Sequence, residues 1–494
     1  MGMPRPYGGF VLRDGVTVLA ENGAHMMVSA QTESGKTFRV LAPNGLLHPG
    51  PAVVMSSKDD LMQLLLAKRP GPAQLLDLRS VISPHYPGDV TLVRHDPTMA
   101  VFSLTDAQTL ADTLLLMSSV GIGGNINGAR NSDPVWELQA TGPLAGLLFT
   151  ASPAGIGIGM EWALEAVEYN ESGEDATAHT PSWETVARTL VERGGAAGRV
   201  LAAKVRRVLG MEQRQRDSIM LSVGKAIMPW LRSIGTDTGL PFFDPDFLDD
   251  PQATLYVLAP LDGSAAAAAI TLVDNLVRRQ RSRVAEWDEV MQIKCIIDEF
   301  SSICPMPKLI KYVNEGRGLG VSFVIAVQAT STIDQVYGRD YGEALRDSFP
   351  AVLVLYGADE QEIMQTAAHW AGLTTRRGDS YTITGDTTNS GRFGAMLEWQ
   401  ELLPRTMEEA RLIRKGTPGV MVDLPTWEVV NERYEQAVRA ELEGRGPQQI
   451  GRRRDSARGL MYGGFAAAGI GAAATVVKLI ACGWLFELVG SILF

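Results

Sequence analysis

Two short clusters in this chain have the residue types and spacing for chemistry. They are Gly35-Lys36-Thr37 and Asp298-Glu299. The first ends the stretch Ala30-Gln31-Thr32-Glu33-Ser34-Gly35-Lys36-Thr37. This follows the phosphate-binding pattern G-x-x-x-x-G-K-[ST], with alanine at the first glycine. In such a loop, the backbone N–H groups of Gln31, Thr32, Glu33, Ser34, Gly35, Lys36 and Thr37 surround phosphate oxygens. Lys36 reaches the β- and γ-phosphates, and the Thr37 hydroxyl holds Mg2+. Ala30 is a cost if its position requires a left-handed backbone. The second cluster ends the apolar run Ile293 to Ile297. There, Asp298 holds Mg2+ through water, and Glu299 orients or deprotonates an attacking water. Each cluster alone is weak, because Gly-Lys-Thr occurs in surface loops and many strands end in solvated acids. Together they specify a Mg2+-using nucleoside triphosphatase. Gln328 ends another apolar run, Val321 to Val327, where a polar side chain either touches a γ-phosphate or only ends the strand.

These groups need elements to position them. His25 to Ala30 is short and apolar and reads as a buried strand, and Phe38 to Leu41 continues as a helix. Further strands are expected at Pro51–Met55, Val90–Val93, Ala253–Leu258, Ile293–Ile297, Val321–Val327 and Ala351–Tyr356. A helix opens at Lys58-Asp59-Asp60-Leu61, and another runs from Ala265 to Arg281 and ends in arginines. This alternation is that of an α/β sheet covered by helices. From Leu104 to Ile234 the pattern is helical instead. Thr105-Asp106 caps one run, Asp133-Pro134 and Ser182-Trp183-Glu184 start others, and Asp217 to Trp230 is a further one. Pro143 to Gly159 is apolar but interrupted by Pro153 and glycines, so it reads as a buried helix end. Asp359-Glu360-Gln361-Glu362 reads as a helix cap. The resulting division is 1–103 and 241–440 for the sheet domain, 104–240 for an inserted all-α domain, 441–458 for a basic linker and 459–494 for an apolar tail.

The bulk composition narrows the class. A formal net charge of −11 argues against a protein that wraps duplex DNA on its outer surface, so any nucleic-acid contact belongs to a local patch or a channel. The three cysteines are scattered, which suits a reducing compartment, and the six histidines form no zinc pattern. The first residues have no signal-peptide pattern. Arg452, Arg453, Arg454 and Arg458 precede an apolar tail from Gly459 to Phe494 in which only Lys478 and Glu487 are charged. About 20 helical residues cross a bilayer, so the tail is expected to be one tilted transmembrane helix. The arginines place the soluble body in the cytoplasm. A buried Ala/Gly-rich core helix is the alternative.

The ordered motifs resemble those of the type IV secretion coupling proteins, the TraG/TraD-like ATPases of conjugative DNA transfer. The similar stretches are Thr32-Glu33-Ser34-Gly35-Lys36-Thr37, Ile296-Ile297-Asp298-Glu299-Phe300 and Gly316-Arg317-Gly318-Leu319-Gly320-Val321 leading into Val327-Gln328, followed by Gln335-Val336-Tyr337-Gly338. Pro134-Val135-Trp136-Glu137 and Arg216-Asp217-Ser218-Ile219 resemble the helical insert of that family. The resemblance implies a RecA-like P-loop nucleotide-binding domain with an all-α domain on one face, assembled as a homo-hexamer with ATP between subunits. It makes Arg317 the arginine that reaches a neighbour's nucleotide and Gln328 the γ-phosphate sensor. The expected partners are DNA, expected as a single strand carried with a relaxase, and the components of a type IV secretion channel. The expected location is the bacterial cell membrane. Family members are usually anchored by N-terminal spans, whereas here the C-terminal tail is the expected anchor. A motor for protein effector cargo, and a membrane scaffold gated by nucleotide without motor activity, are the other readings.

Overall fold

The computed structural model describes residues 5–442, except for 14, 80–85, 87–88, 121–133, 171–176, 178, 234–238, 287–289 and 382–386. The chain divides into two units, Met1–Val11 with Leu19–Glu435, and Leu12–Val18 with Gln436–Phe494. In the smaller unit the described residues are the end of β1 (Phe10–Arg13), most of β2 (Val16–Leu19) and the last turns of the helix Trp427–Leu442. The expected transmembrane tail, 459–494, and nearly all of the basic linker lie outside the described residues. Among the described residues no helix is long and apolar enough to cross a membrane.

In the larger unit the chain forms β3 (Met26–Ser29), β4 (Ala52–Ser56), β5 (Ala73–Asp77) and β6 (Thr91–Leu92). After a helical stretch it adds β7 (Thr254–Leu258), β8 (Ile293–Ile297), β9 (Val321–Val327) and β10 (Ala351–Leu355). A separate antiparallel hairpin of β11 (Leu373–Tyr381) and β12 (Thr387–Ala395) follows, then β13 (Glu409–Arg414) and β14 (Val420–Asp423). The sheet order in this unit is β1, β14, β13, β10, β3, β9, β8, β4, β7, β5, β6. Strands β10 through β6 run parallel, and β13 and β14 add antiparallel to one side. Every residue of β3, β4, β7, β8, β9 and β10 is buried, as expected of strands covered on both faces.

The expected strands are present, and Val90–Val93 is reduced to Thr91–Leu92. The strand β5 and the antiparallel pair β13 and β14 were not anticipated. Their residues are only partly buried, so they lack the continuous apolar run that marks an inner strand.

Between β6 and β7 lie the helices Leu104–Val120, Pro134–Ala151, Met160–Ala166, Trp183–Arg193, Gly195–Leu209 and Gln213–Ile227. Their buried side chains, Leu114, Leu148, Trp183, Leu190 and Val223 among them, form a hydrophobic cluster of their own, and Met117 touches both this cluster and that of the sheet. Ser182 caps its helix by accepting the Thr185 N–H at 3.1 Å, a contact worth about 1 kcal/mol. The apolar stretch from Pro143 holds the buried end of the helix Pro134–Ala151, which stops before Pro153 as expected. Pro143 itself sits inside that helix, where burial of Ala140, Leu144, Ala145 and Leu148 offsets the lost backbone bond. The arginines ending the helix Ala266–Ala285 do more than face its negative end. Arg279 and Arg283 both pair with Asp249, and Arg278 pairs with Asp106.

Candidate functional site

Strand order brings the sequence clusters together. β9 lies between β3 and β8, and all three run parallel, with Ser29 opposite Val327 and Ile297 opposite Ile325. Their carboxyl ends therefore open on one edge of the sheet, where open parallel sheets place ligands. The segments leaving that edge carry Gln31 to Thr37, Gln328, and Asp298-Glu299.

The loop after β3 leaves the sheet through Ala30, whose N–H bonds to the Val327 carbonyl at 3.0 Å. Ala30 is fully buried, and its backbone is not left-handed. The positive φ angles fall at Glu33 (63°) and Gly35 (80°) instead. The expected strain at the missing glycine is therefore absent. A Cβ on Gly35 would meet Arg39 Cδ at 3.2 Å in a conformation that side chains disfavour. The helix that follows begins with a wide turn in which the Ala42 N–H bonds to Thr37 O, five residues back. Such turns recur at functional sites. Gln31, Thr32 and Glu33 are exposed, Thr37 is half-buried, and Ser34 is buried with its hydroxyl lacking a hydrogen-bond partner. An oriented loop with a buried, unpartnered hydroxyl suits a ligand rich in oxygen.

Lys36 is 8% exposed and turns toward the acids. Its Nζ stands 2.9 Å from Asp298 Oδ1 and 2.6 Å from Glu299 Oε1. Gln328 Nε2 donates to the other Glu299 oxygen at 3.2 Å. Glu299 has a left-handed backbone, φ 49°, and its N–H donates to Asp298 Oδ1 at 2.9 Å. That turn lets two consecutive acids face the same cation. Burial pushes the Asp298 carboxyl above its ordinary range, and Lys36 works against this push. Burial also opposes the charge on Lys36, but Asp298 and Glu299 outweigh it and hold the ammonium above its ordinary value. One cation and two carboxylates leave the cluster short of positive charge, an arrangement that favours a divalent cation.

Of the expected site residues, Lys36, Asp298, Glu299 and Gln328 meet in one cluster, with the loop residues 31–37 at its rim. The backbone of Arg317 lies in the short turn Gly316–Leu319, and its side chain lies outside the described residues.

Two supporting residues were not legible beforehand. Arg39 donates to the Leu424 carbonyl at 2.6 Å and to Glu408 at 2.8 Å, tying the helix after the loop to the antiparallel strands. Glu360 precedes the helix Gln361–Trp370 as expected, but its side chain makes no capping bond. It accepts instead from Ser29 and Thr330, because burial leaves those donors without water. Nothing local in the sequence signals a contact across 331 residues.

The sequence profile of the family described as type IV secretory system conjugative DNA transfer matches residues 5–395. No curated protein sequence matches significantly. Among solved structures, the unbound bacterial conjugative coupling protein TrwBdeltaN70 is similar with a TM-score of 0.51 and 17% identity, over 85% of this chain and 88% of that one. Plasmid coupling protein TrwB with the ATP analogue ADPNP gives a TM-score of 0.52 and 17% identity, over 82% and 86%. TrwB with the GTP analogue GDPNP gives a TM-score of 0.51 and 18% identity, over 81% and 85%. At these identities the likeness is one of fold.

Proposed function

We propose that this chain, which belongs to the type IV secretory system conjugative DNA transfer family, is its ATP-hydrolysing motor and drives DNA, or a DNA–protein complex, into a secretion channel. The observation that carries this reading is Lys36 held between Asp298 and Glu299, with Gln328 on the second Glu299 oxygen. TrwB, whose fold this chain shares, has been solved with ATP and GTP analogues.

The residues fit a Mg2+-bound triphosphate. The loop 31–37 presents its N–H groups and the unpartnered Ser34 hydroxyl, Lys36 supplies charge, and Thr37 and Asp298 would hold the metal. Bound Mg2+ supplies charge neutralisation on the phosphoryl oxygens. Lys36 exchanges its carboxylate partners for phosphate oxygens when nucleotide enters. That exchange frees Glu299 to take the proton of an attacking water, and Gln328 holds the second Glu299 oxygen in place. Arg317 is assigned to the nucleotide of a neighbouring subunit in a homo-hexamer.

The domain division belongs to this proposal. A RecA-like nucleotide-binding domain spans 1–103 and 241–440 and is interrupted by an all-α domain at 104–240. A membrane anchor follows at 459–494, behind the linker 441–458. The assignment to the bacterial cell membrane, with a cytoplasmic body, rests on that anchor. The left-handed backbone that would strain Ala30 is missing.

The test is phosphate release by the protein with and without DNA at low and high salt. DNA that is gripped through its phosphates should stimulate hydrolysis at low salt and lose that effect as salt rises. No hydrolysis under any condition would remove the motor reading. Hydrolysis stimulated by a polypeptide and not by DNA would turn the cargo into protein.

A further inference from the structure

Glu360 is 5% exposed, and its carboxylate accepts three hydrogen bonds. All three come from the two segments that carry the nucleotide-site residues. Ser29 Oγ donates to Oε1 at 2.5 Å, and the Thr330 N–H donates to the same oxygen at 2.6 Å. Thr330 Oγ1 donates to Oε2 at 2.5 Å. Ser29 ends β3 immediately before the phosphate loop, and Thr330 lies two residues beyond Gln328. Arg346 takes the Thr330 carbonyl at 3.2 Å and Asp334 at 2.7 Å, so Thr330 is clamped from a second side.

These contacts close a circuit. It passes from Ser29 through Glu360 to Thr330, back along the chain to Gln328, across to Glu299 and Lys36, and through the loop to Ser29. The Gln328–Glu299 contact is the long one at 3.2 Å, whereas the Glu360 contacts are short, charge-assisted and buried. A role in holding the sheet together does not account for them. β3 and β9 are already joined by their backbone ladder up to the Ala30 N–H, and Glu360 reaches past that point to the segment the ladder leaves free. A capping role fails as well, since the side chain makes no bond to its own helix.

We propose that Glu360 is a positioning residue. It sets the path of residues 328–330 relative to the phosphate loop, and so sets where Gln328 meets Glu299. This rests on the hydrolytic reading above.

The test uses the full chain with Glu360→Ala, Glu360→Gln and Thr330→Val. It reads steady-state ATP hydrolysis and equilibrium binding of a fluorescent ATP analogue. Glu360→Ala is expected to lower kcat by about tenfold or more, with KM and analogue affinity changed less than about threefold. Glu360→Gln keeps an acceptor for Ser29 and the Thr330 N–H, and the Thr330 hydroxyl can turn to accept from the new amide. It is expected to return kcat to within about threefold of wild type. Thr330→Val keeps the volume and the Ser29 bond, removes only the hydroxyl contact, and is expected to lower kcat by an intermediate factor. It decides the matter if Glu360→Ala does not fold. Unchanged kcat in Thr330→Val and Glu360→Ala, nucleotide binding lost in parallel with kcat, or a glutamine variant no better than alanine would each overturn the assignment. A wild-type chain that binds the analogue and releases no phosphate would instead overturn the hydrolytic reading, and this assignment with it.

Discussion

Gln328 and Lys36 divide the Glu299 carboxylate between them. Lys36 Nζ holds Oε1 at 2.6 Å, and Gln328 Nε2 holds Oε2 at 3.2 Å. A carboxylate gripped on both oxygens is oriented before any substrate arrives. The lysine is the partner with a second use, since a phosphate oxygen competes for the same ammonium.

Glu299→Gln keeps the shape and the Gln328 neighbour but removes the carboxylate proposed as the base. Hydrolysis should fall by about 10²- to 10⁴-fold, with nucleotide binding retained. Phosphate release and analogue binding measured on one preparation check this. A variant that still turns over would move the base elsewhere.

Lys36→Ala leaves the buried Asp298 and the half-buried Glu299 without their shared cation. The loss of stability at neutral pH should be about 3 kcal/mol, the usual cost of removing one partner from a buried ion pair. Its pH dependence follows from Asp298, whose folded pKa is already raised by burial and is held down by Lys36. Without the lysine it rises further. A raised group stabilises the fold below its unfolded value, and that contribution is lost as pH rises through the folded value. The gap between wild type and variant should therefore narrow as pH falls toward 3.8, measured by urea unfolding across a pH series.

Ala30→Gly restores the usual loop pattern at a position whose backbone does not need it. Nucleotide affinity should change by less than about twofold, and stability should fall by about 0.5–1 kcal/mol from the added chain entropy. A tenfold gain in affinity would show that the loop is strained at Ala30 after all.

His25 is fully buried, stacks on Phe323 and accepts the Phe323 N–H at Nδ1 at 3.1 Å. Burial lowers its pKa from 6.5 to about 4. A lowered group contributes stability that is complete above 6.5 and is lost as pH falls through about 4. Across that window stability should drop by an amount on the order of 3 kcal/mol, and His25→Gln should flatten the slope. Denaturant titrations from pH 7 to 4 measure both effects. An unchanged slope in the variant would assign the acid sensitivity to another group.

Several features were readable from composition and order alone. The inner strands are continuous apolar runs because both of their faces are covered, so the run itself carries the signal. Gly35-Lys36-Thr37 and Asp298-Glu299 stand at the ends of such runs, where side chains leave the sheet, and the helical stretch announced itself by its change of period. Glu360 was placed correctly before its helix, yet its partners were not foreseen, because a local reading offers the cap as the nearest unsatisfied group.

The sequence by itself determined that this chain carries a phosphate-loop pattern, an acid pair and alternating buried strands, since each depends on residues close together in the chain. Only the tertiary structure decided that β9 runs between β3 and β8, and so that Lys36 meets Asp298 and, 263 residues away, Glu299, with Gln328 beside them. It also moved the left-handed backbone from position 30 to Glu33 and Gly35, and turned Glu360 toward Ser29 and Thr330. Strand order and buried hydrogen bonds are settled by which surfaces exclude water together, and that is a property of the whole packed sheet.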